Sequence, residues 1–138
     1  YCEAHGRDKS GFEASLPRAI EWIRSGKGGD SRTFTYGKSF EPKLMKSRFA
    51  RPTAALEPAF SFPTDESPYG VFDLAGSLSE WCDVAGQAEE SPRRMIYSGS
   101  YTDTEEEAFG IQSHRSLPID SREPTIGFRV VLKRKGPR

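Results

Sequence analysis

Cysteine and histidine are scarce in this sequence of 138 residues, which contains two of each. Cys2 and Cys82 form no CxxC pair, and His5 and His114 form no HxxxH or HxxH pair. These spacings do not match the short motifs in which such residues bind metals. We expect two reduced thiols, with a Cys2–Cys82 disulfide as the alternative, and we expect Cys82 to be a small buried hydrophobic residue.

An excess of charge of either sign is also lacking. Twenty basic and twenty acidic residues cancel, so the sequence has no electrostatic footprint for a nucleic-acid partner. No stretch approaches the ~20 apolar residues of a membrane span, and no signal peptide is visible. Because the first residue is Tyr1, we expect the chain to be part of a longer protein.

Glycine, proline and aromatic residues are plentiful: thirteen Gly, ten Pro, nine Phe, five Tyr and two Trp. This composition predicts many turns and little long regular structure. Residues 37–68 are rich in Pro, Lys and Ser and show no sustained period, so we predict a long ordered loop. Four phenylalanines in that loop are expected to need burial: Phe40, Phe49, Phe60 and Phe62.

Apolar periodicity predicts one short helix and several short strands. Apolar residues recur at helical spacing over residues 16–24, with Ser15 as the expected N-cap and Gly26 close to the end. Alternation in the last strand places Phe128, Val130 and Leu132 toward the core. Strands are predicted at 33–36, 78–84, 95–101 and 126–132. One helix followed by several strands is typical of the α+β class.

Several motifs, in order along the chain, resemble those of the formylglycine-generating enzyme, or sulfatase-modifying factor, family. Residues 65–82 read DESPYGVFDLAGSLSEWC and resemble the family signature SPYGLYDMAGNVWEWC. Residues 98–101 (SGSY) resemble its GGSW or GGSY, and residues 16–22 (LPRAIEW) resemble LPTEAEWE. Residues 34–37 (FTYG) resemble a weakened YPWG, and GFR at 127–129, with two arginines before it, resembles the closing motif.

The resemblance implies a C-type-lectin-like α+β fold with short antiparallel strands, few helices and long loops. It also implies that residues 1–138 are the C-terminal part of a single domain whose N-terminal part is missing. Bacterial domains of this family are often fused to serine/threonine kinases or proteases. The resemblance therefore implies a sensor or interaction module of a larger bacterial signalling protein, with the bacterial cytoplasm as the expected location.

Copper is not expected in this chain. In the resembled enzymes, two cysteine thiolates hold copper, three and eight residues after the serine of GGSY. Counted from Ser100, these positions are Asp103 and Ala108. An alanine donates nothing, and a carboxylate is a poor ligand for monovalent copper, which prefers soft thiolates. The resemblance therefore favours a protein that is not an enzyme.

Calcium is the metal that the resemblance leaves open, at Glu80. Family members bind it with the asparagine and the acid of GNVWEW, but here Ser77 replaces the asparagine. The alternative is that Glu80 pairs with a nearby arginine or caps a turn. We expect Arg115, Arg122 and Arg129 to pair with acidic residues such as Asp73, Asp120 or Glu80.

Binding of a peptide or protein is the predicted function, in the groove that the family uses for its substrate. The predicted ligand-binding residues are Ser100, Tyr101, Asp103, Glu105 and Arg115. The partner is expected to be a basic peptide, the missing N-terminal segment, or a fused kinase or protease domain. The alternative is an oxidoreductase, of the formylglycine-generating or nonheme-iron type, whose catalytic residues lie partly outside this chain.

Overall fold

The computed structural model describes residues 11–83 and 92–135. These residues form one α-helix, six short strands and two 3-10 helices, joined by long irregular segments, which confirms the predicted α+β class. The helix α1 is Ala19–Lys27, and the 3-10 helices are Pro42–Leu44 and Glu106–Phe109. The strands are β1 (Phe12–Ser15), β2 (Ser79–Cys82), β3 (Arg93–Tyr97), β4 (His114–Pro118), β5 (Ile126–Gly127) and β6 (Val131–Arg134).

The strands form two sheets. One is the antiparallel pair β1–β6, and the other has the order β4-β3-β2-β5. In the larger sheet β2 and β3 are antiparallel, with Glu80 opposite Tyr97, and β3 and β4 are antiparallel, with Ile96 opposite Arg115. Among the strands of the described residues, only the two-residue β5 runs parallel to its neighbour, β2. Within the described residues, no helix is long and apolar enough to cross a membrane.

The helix begins later than the periodicity predicted. Ser15 is not its N-cap, because Ser15 belongs to β1 and pairs with Val131. The N-cap is Arg18, whose backbone N–H donates to the Glu21 carboxylate at 2.8 Å. This reciprocal bond satisfies an amide that the first turn leaves without a partner. The helix therefore starts only after the chain has left the two-stranded sheet.

Three of the predicted strands differ from the structure. The strand predicted at 95–101 begins earlier and ends at Tyr97, where β3 ends. Residues 33–36 form a turn, because Phe34 and Gly37 exchange backbone hydrogen bonds. The strand predicted at 126–132 is divided into β5 and β6, and the intervening Arg129 turns inward to Glu80. Its neighbours therefore turn outward, so the predicted burial of Phe128, Val130 and Leu132 is wrong; they are 52%, 47% and 65% exposed. Val84, the last residue of the strand predicted at 78–84, lies outside the described residues.

Irregular segments supply much of the core. One buried cluster joins α1 to the sheet and consists of Trp22, Leu74, Cys82, Tyr97 and Ile111. A second consists of Phe34, Met45, Ala75 and Phe109. The burial of Cys82 confirms its predicted role as a hydrophobic residue. In the 37–68 segment Phe62 is buried and Phe40 is half-buried, whereas Phe49 and Phe60 are exposed.

Candidate functional site

A tight turn follows β3 and centres on Ser100, whose exposed fraction is 1%. The Ser100 backbone N–H and hydroxyl both donate to Asp103 Oδ2, at 2.6 and 2.8 Å. The Asp103 N–H in return donates to the Ser100 carbonyl at 3.1 Å. A serine and an aspartate three residues apart thus close the turn with one backbone–backbone hydrogen bond and two bonds to the Asp103 carboxylate, and Asp103 Oδ2 accepts both of the latter.

Ala108 lies against the same turn. A β-carbon added to Gly99 would lie 3.2 Å from the Ala108 β-carbon and 3.1 Å from its carbonyl oxygen. Only a glycine allows this approach without displacement of its neighbours. The positions three and eight residues after Ser100 therefore both contact the backbone segment 99–100.

The described residues do not fit copper at this turn. Asp103 is a hard ligand whose Oδ2 already accepts two hydrogen bonds, and Ala108 ends in a methyl group. Soft thiolate sulfur is the donor that monovalent copper prefers. Cys82 lies elsewhere, in β2, and burial raises the pKa of its thiol, which keeps it protonated. Cys2 and His5 lie outside the described residues.

The other predicted ligand-binding residues are only partly brought together. The Tyr101 N–H donates to the Ser77 carbonyl at 2.9 Å, so Tyr101 connects the turn to the signature segment. Glu105 precedes the second 3-10 helix and has an exposed side chain. Arg115 is exposed on β4, opposite Ile96, which is the penultimate residue of β3 before the Ser100 turn. Ser100, Tyr101 and Asp103 therefore lie in one turn, with Glu105 shortly after it and Arg115 on the neighbouring strand β4.

The Glu80 carboxylate accepts hydrogen bonds at the centre of a buried cluster of side chains. The Trp22 indole N–H donates to Glu80 Oε2 at 2.9 Å, Arg129 Nη2 donates to Oε1 at 2.8 Å, and Arg129 Nε donates to Oε2. Arg129 Nη2 also reaches the Phe72 carbonyl at 3.2 Å. Burial lowers the pKa of Arg129, but the hydrogen bonds and charge of Glu80 outweigh this and raise it. The predicted arginine pairing is thus observed for Arg129.

The charges around Glu80 are unfavourable for a calcium ion. Calcium binding at this residue stays a prediction. Both Glu80 oxygens accept N–H donors, so the ion would have to displace Arg129. The Ser77 hydroxyl lies 3.5 Å from the ammonium of Lys46, a second cation beside the predicted site. Within residues 11–83 and 92–135, no three His, Cys, Asp or Glu side chains cluster closely enough to hold a metal.

A second buried charge lies beside this cluster, and sequence reasoning missed it. The Lys46 side chain is 3% exposed, and its ammonium donates to the carbonyls of Glu57 and Pro58 at 3.0 and 3.2 Å. Asp73 Oδ1 lies 4.0 Å from it, while Asp73 Oδ2 accepts the Phe60 N–H at 3.0 Å. Lys46 has no periodicity or motif around it that would have predicted its burial.

A cavity of about 590 Å³ opens above these two ion pairs. Lys46, Asp73, Glu80 and Arg129 contribute its charged lining, and Phe72 belongs to its aromatic lining. The remaining lining residues are Leu56, Glu57, Ala59, Phe60, Gly70, Val71, Ser77, Leu78 and Phe128. Sequence reasoning did not identify this cavity, because its walls come from separate segments of the chain.

Residues 1–134 match the protein family described as Sulfatase-modifying factor enzyme 1-like domain. The chain is similar to inactive C-alpha-formylglycine-generating enzyme 2 of Bos taurus, with 27% identity over 94% of this chain and 45% of that protein. It is also similar to serine/threonine-protein kinase pkn1 of Chlamydia pneumoniae, with 28% identity over 83% of this chain and 20% of the kinase. The chain thus spans less than half of either relative.

Two solved structures share the fold. Treponema denticola variable protein 1 superimposes with a TM-score of 0.73 and 18% identity, over 92% of this chain and 50% of that one. CarF superimposes with a TM-score of 0.67 and 19% identity, over 86% of this chain and 47% of that one. Identities this low establish the shared fold and nothing about shared ligands.

Proposed function

Because the chain belongs to the sulfatase-modifying factor enzyme 1-like family, we propose that it is a noncatalytic member that binds a protein partner. The observation that carries the proposal is the Ser100 turn. Asp103 and Ala108 flank that turn where the enzymes of the family have copper-binding cysteines. The turn is closed by hydrogen bonds to Asp103, which hold its shape without a thiolate pair.

The relatives support a binding role in a larger signalling protein. Two matched proteins are described as inactive formylglycine-generating enzymes, from Bos taurus and Mus musculus. Two others are serine/threonine kinases, and the region that matches this chain is only 20% of each kinase. A domain of the same family beside a kinase is consistent with a sensor or interaction module, and we extend that role to this chain.

Copper binding tests the loss of catalysis. We expect the chain with Cys2→Ser to leave Cu(I) with the competing chelator bicinchoninate, under anaerobic conditions. The triple variant with Cys2→Ser, Asp103→Cys and Ala108→Cys should take up about one equivalent, because both positions flank the same turn and supply soft ligands. The matched control, with Cys2→Ser and Asp103→Cys alone, should bind more weakly.

An activity measurement completes this test. The unmodified chain is incubated with a cysteine-containing peptide, Cu(I) and oxygen, and mass spectrometry measures conversion of the peptide cysteine to an aldehyde. We expect no conversion. Stoichiometric copper binding by the Cys2→Ser chain, or any turnover of the peptide, would favour the alternative, an oxidoreductase.

A further inference from the structure

Asp65 closes the irregular loop that residues 65–76 form. Its backbone N–H donates to the Phe62 carbonyl at 3.0 Å, and its own carbonyl accepts the Asp73 N–H at 3.2 Å. Its side-chain Oδ2 accepts the Ala75 N–H at 3.1 Å. One residue thus holds both the incoming and the returning end of the loop, partly through its backbone and partly through its carboxyl group.

The loop supplies one wall of the cavity, since residues 70–73 belong to the cavity lining. The carbonyls of Phe72 and Asp73 accept Arg129 Nη2 at 3.2 and 3.4 Å, and Asp73 Oδ2 accepts the Phe60 N–H at 3.0 Å. Asp73 and Phe60 have φ of 57° and 65°, in the left-handed region that residues other than glycine rarely adopt. The closed wall is therefore strained, and its geometry depends on the contacts that hold the loop.

The Asp65 carboxyl group lies in an interior that offers it no counterion of its own. The residue is fully buried, and its Oδ1 has no hydrogen-bond partner. The groups that face it among the described residues are the Thr35 hydroxyl, the Tyr36 phenol, the Asp73 carboxylate and the Arg129 guanidinium. Burial raises the pKa of Tyr36 to about 12, so the phenol is neutral, and Arg129 already pairs with another carboxylate. An ionised Asp65 would therefore be a second buried anion beside Asp73.

This environment favours the neutral acid. Burial is the largest influence and raises the pKa of Asp65 to about 7, and the charge of Asp73 adds to the rise. The Thr35 hydroxyl, the Ala75 N–H and the charge of Arg129 lower the pKa without cancelling the effect of burial. In water an aspartate titrates near 3.9. Any opening that hydrates Asp65 therefore releases its proton over most of the range between these two values.

We propose that the 65–76 loop is a pH-responsive wall of the cavity, closed while Asp65 is protonated and opened more often as Asp65 loses its proton to water. Because the open form binds fewer protons, the open fraction rises about tenfold per pH unit between pH 4 and pH 7 and levels off above that range. The inference concerns access to the cavity and goes beyond the proposed binding function. It does not depend on the Ser100 turn, since none of the cavity-lining residues belongs to residues 98–108.

Hydrogen exchange of the isotopically labelled 138-residue chain, followed by NMR between pH 5 and pH 8, tests the proposal. Protection factors, which take account of the intrinsic pH dependence of exchange, give the open fraction at each amide. We expect the Asp73 and Ala75 amides to lose roughly 50- to 100-fold in protection from pH 5 to pH 8. At every pH they should be less protected than the Ile96 amide in β3, because the loop opens while the sheet stays folded. The carbon-13 shift of the Asp65 carboxyl group should titrate near its raised pKa of about 7.

Two substitutions assign the response to Asp65. Asp65→Asn keeps an acceptor for the Ala75 N–H but has no proton to release, so the protection of the loop should not change with pH. Glu66→Gln is the matched control, because Glu66 is an exposed acid in the same loop, and this variant should respond as the wild type does. Both variants keep the two histidines, so any effect of histidine titration would persist in Asp65→Asn.

Three outcomes of the exchange experiment would overturn the proposal: loop protection that is independent of pH in the wild type, the same pH response in Asp65→Asn, or equal protection of loop and sheet amides at every pH. A wild-type Asp65 carboxyl shift that titrates near the ordinary value of about 4 would overturn it without any variant. Such failures would leave the copper test unaffected.

Discussion

Asp65 is a buried carboxyl group whose ionisation should destabilise the fold. It is fully buried, its Oδ2 accepts the Ala75 N–H at 3.1 Å, and its Oδ1 has no hydrogen-bond partner. Burial raises the pKa of Asp65 to about 7, and the charge of Asp73 adds to the rise. The Thr35 hydroxyl and the Ala75 N–H favour the charged form and lower the pKa, but burial outweighs them. The neutral acid is therefore the form that this environment favours.

The sign of the pH dependence follows from the raised pKa. In the unfolded chain an aspartate titrates near 3.9. Between pH 4 and pH 7 the folded state therefore keeps a proton that the unfolded state releases, and the free energy of unfolding falls as the pH rises. Linkage predicts a slope approaching 1.4 kcal/mol per pH unit, and a loss of about 3 kcal/mol between pH 5 and pH 8. Above pH 7 this contribution levels off.

Asp65→Asn replaces the titrating group with a neutral one of nearly the same shape. Urea unfolding of the wild type and the variant at several pH values between 5 and 8 gives the difference in unfolding free energy. We expect this difference to shift in favour of the variant by about 3 kcal/mol from pH 5 to pH 8. Asp120→Asn, in an exposed loop, is the control and should show no comparable shift. If the Asp65→Asn difference is constant with pH, or shifts toward the wild type, the reasoning is wrong.

Two further predictions concern the buried cluster and the signature segment. Glu80→Ala should cost about 3–5 kcal/mol of unfolding free energy, because it leaves the Arg129 charge buried and unpaired. Glu80→Gln keeps an acceptor oxygen and should cost less in the same denaturation measurement; equal losses would contradict the charge argument. Gly76→Ala should cost at least about 3 kcal/mol, because φ is 88° and its β-carbon would overlap a backbone carbonyl. Gly29→Ala, with open space around it, should change the thermal midpoint little, and a similar fall in both would contradict the steric argument.

Short-range features were predictable from the sequence where the bonding partners are close along the chain. Ser100 and Asp103 are three positions apart, and a serine and an aspartate at that spacing bond each other locally. Strand β2 forms the end of the signature segment and buries Cys82 as predicted. The motif order likewise predicted the family and the α+β class, because each motif is a contiguous stretch.

Periodicity failed where a distant partner reversed the local preference. The alternation of residues 126–132 predicts that Phe128 is buried, but the ion pair between Arg129 and Glu80 joins residues 49 apart and turns the opposite face inward. The helix start was misplaced for the same reason, since Ser15 pairs with Val131 at the far end of the chain. No local pattern reports an ion pair between residues so far apart in the sequence.

The sequence by itself determined the family, the fold class and the absence of thiolates at positions 103 and 108, because these depend on residue identity and order. Only the tertiary structure decided that Lys46 and Asp73 meet under Phe60, or that Trp22 and Arg129 share Glu80. These contacts join separate loops, whose paths depend on burying many side chains at once. The aromatic cavity exists only once that packing is complete, since its walls come from four separate parts of the chain.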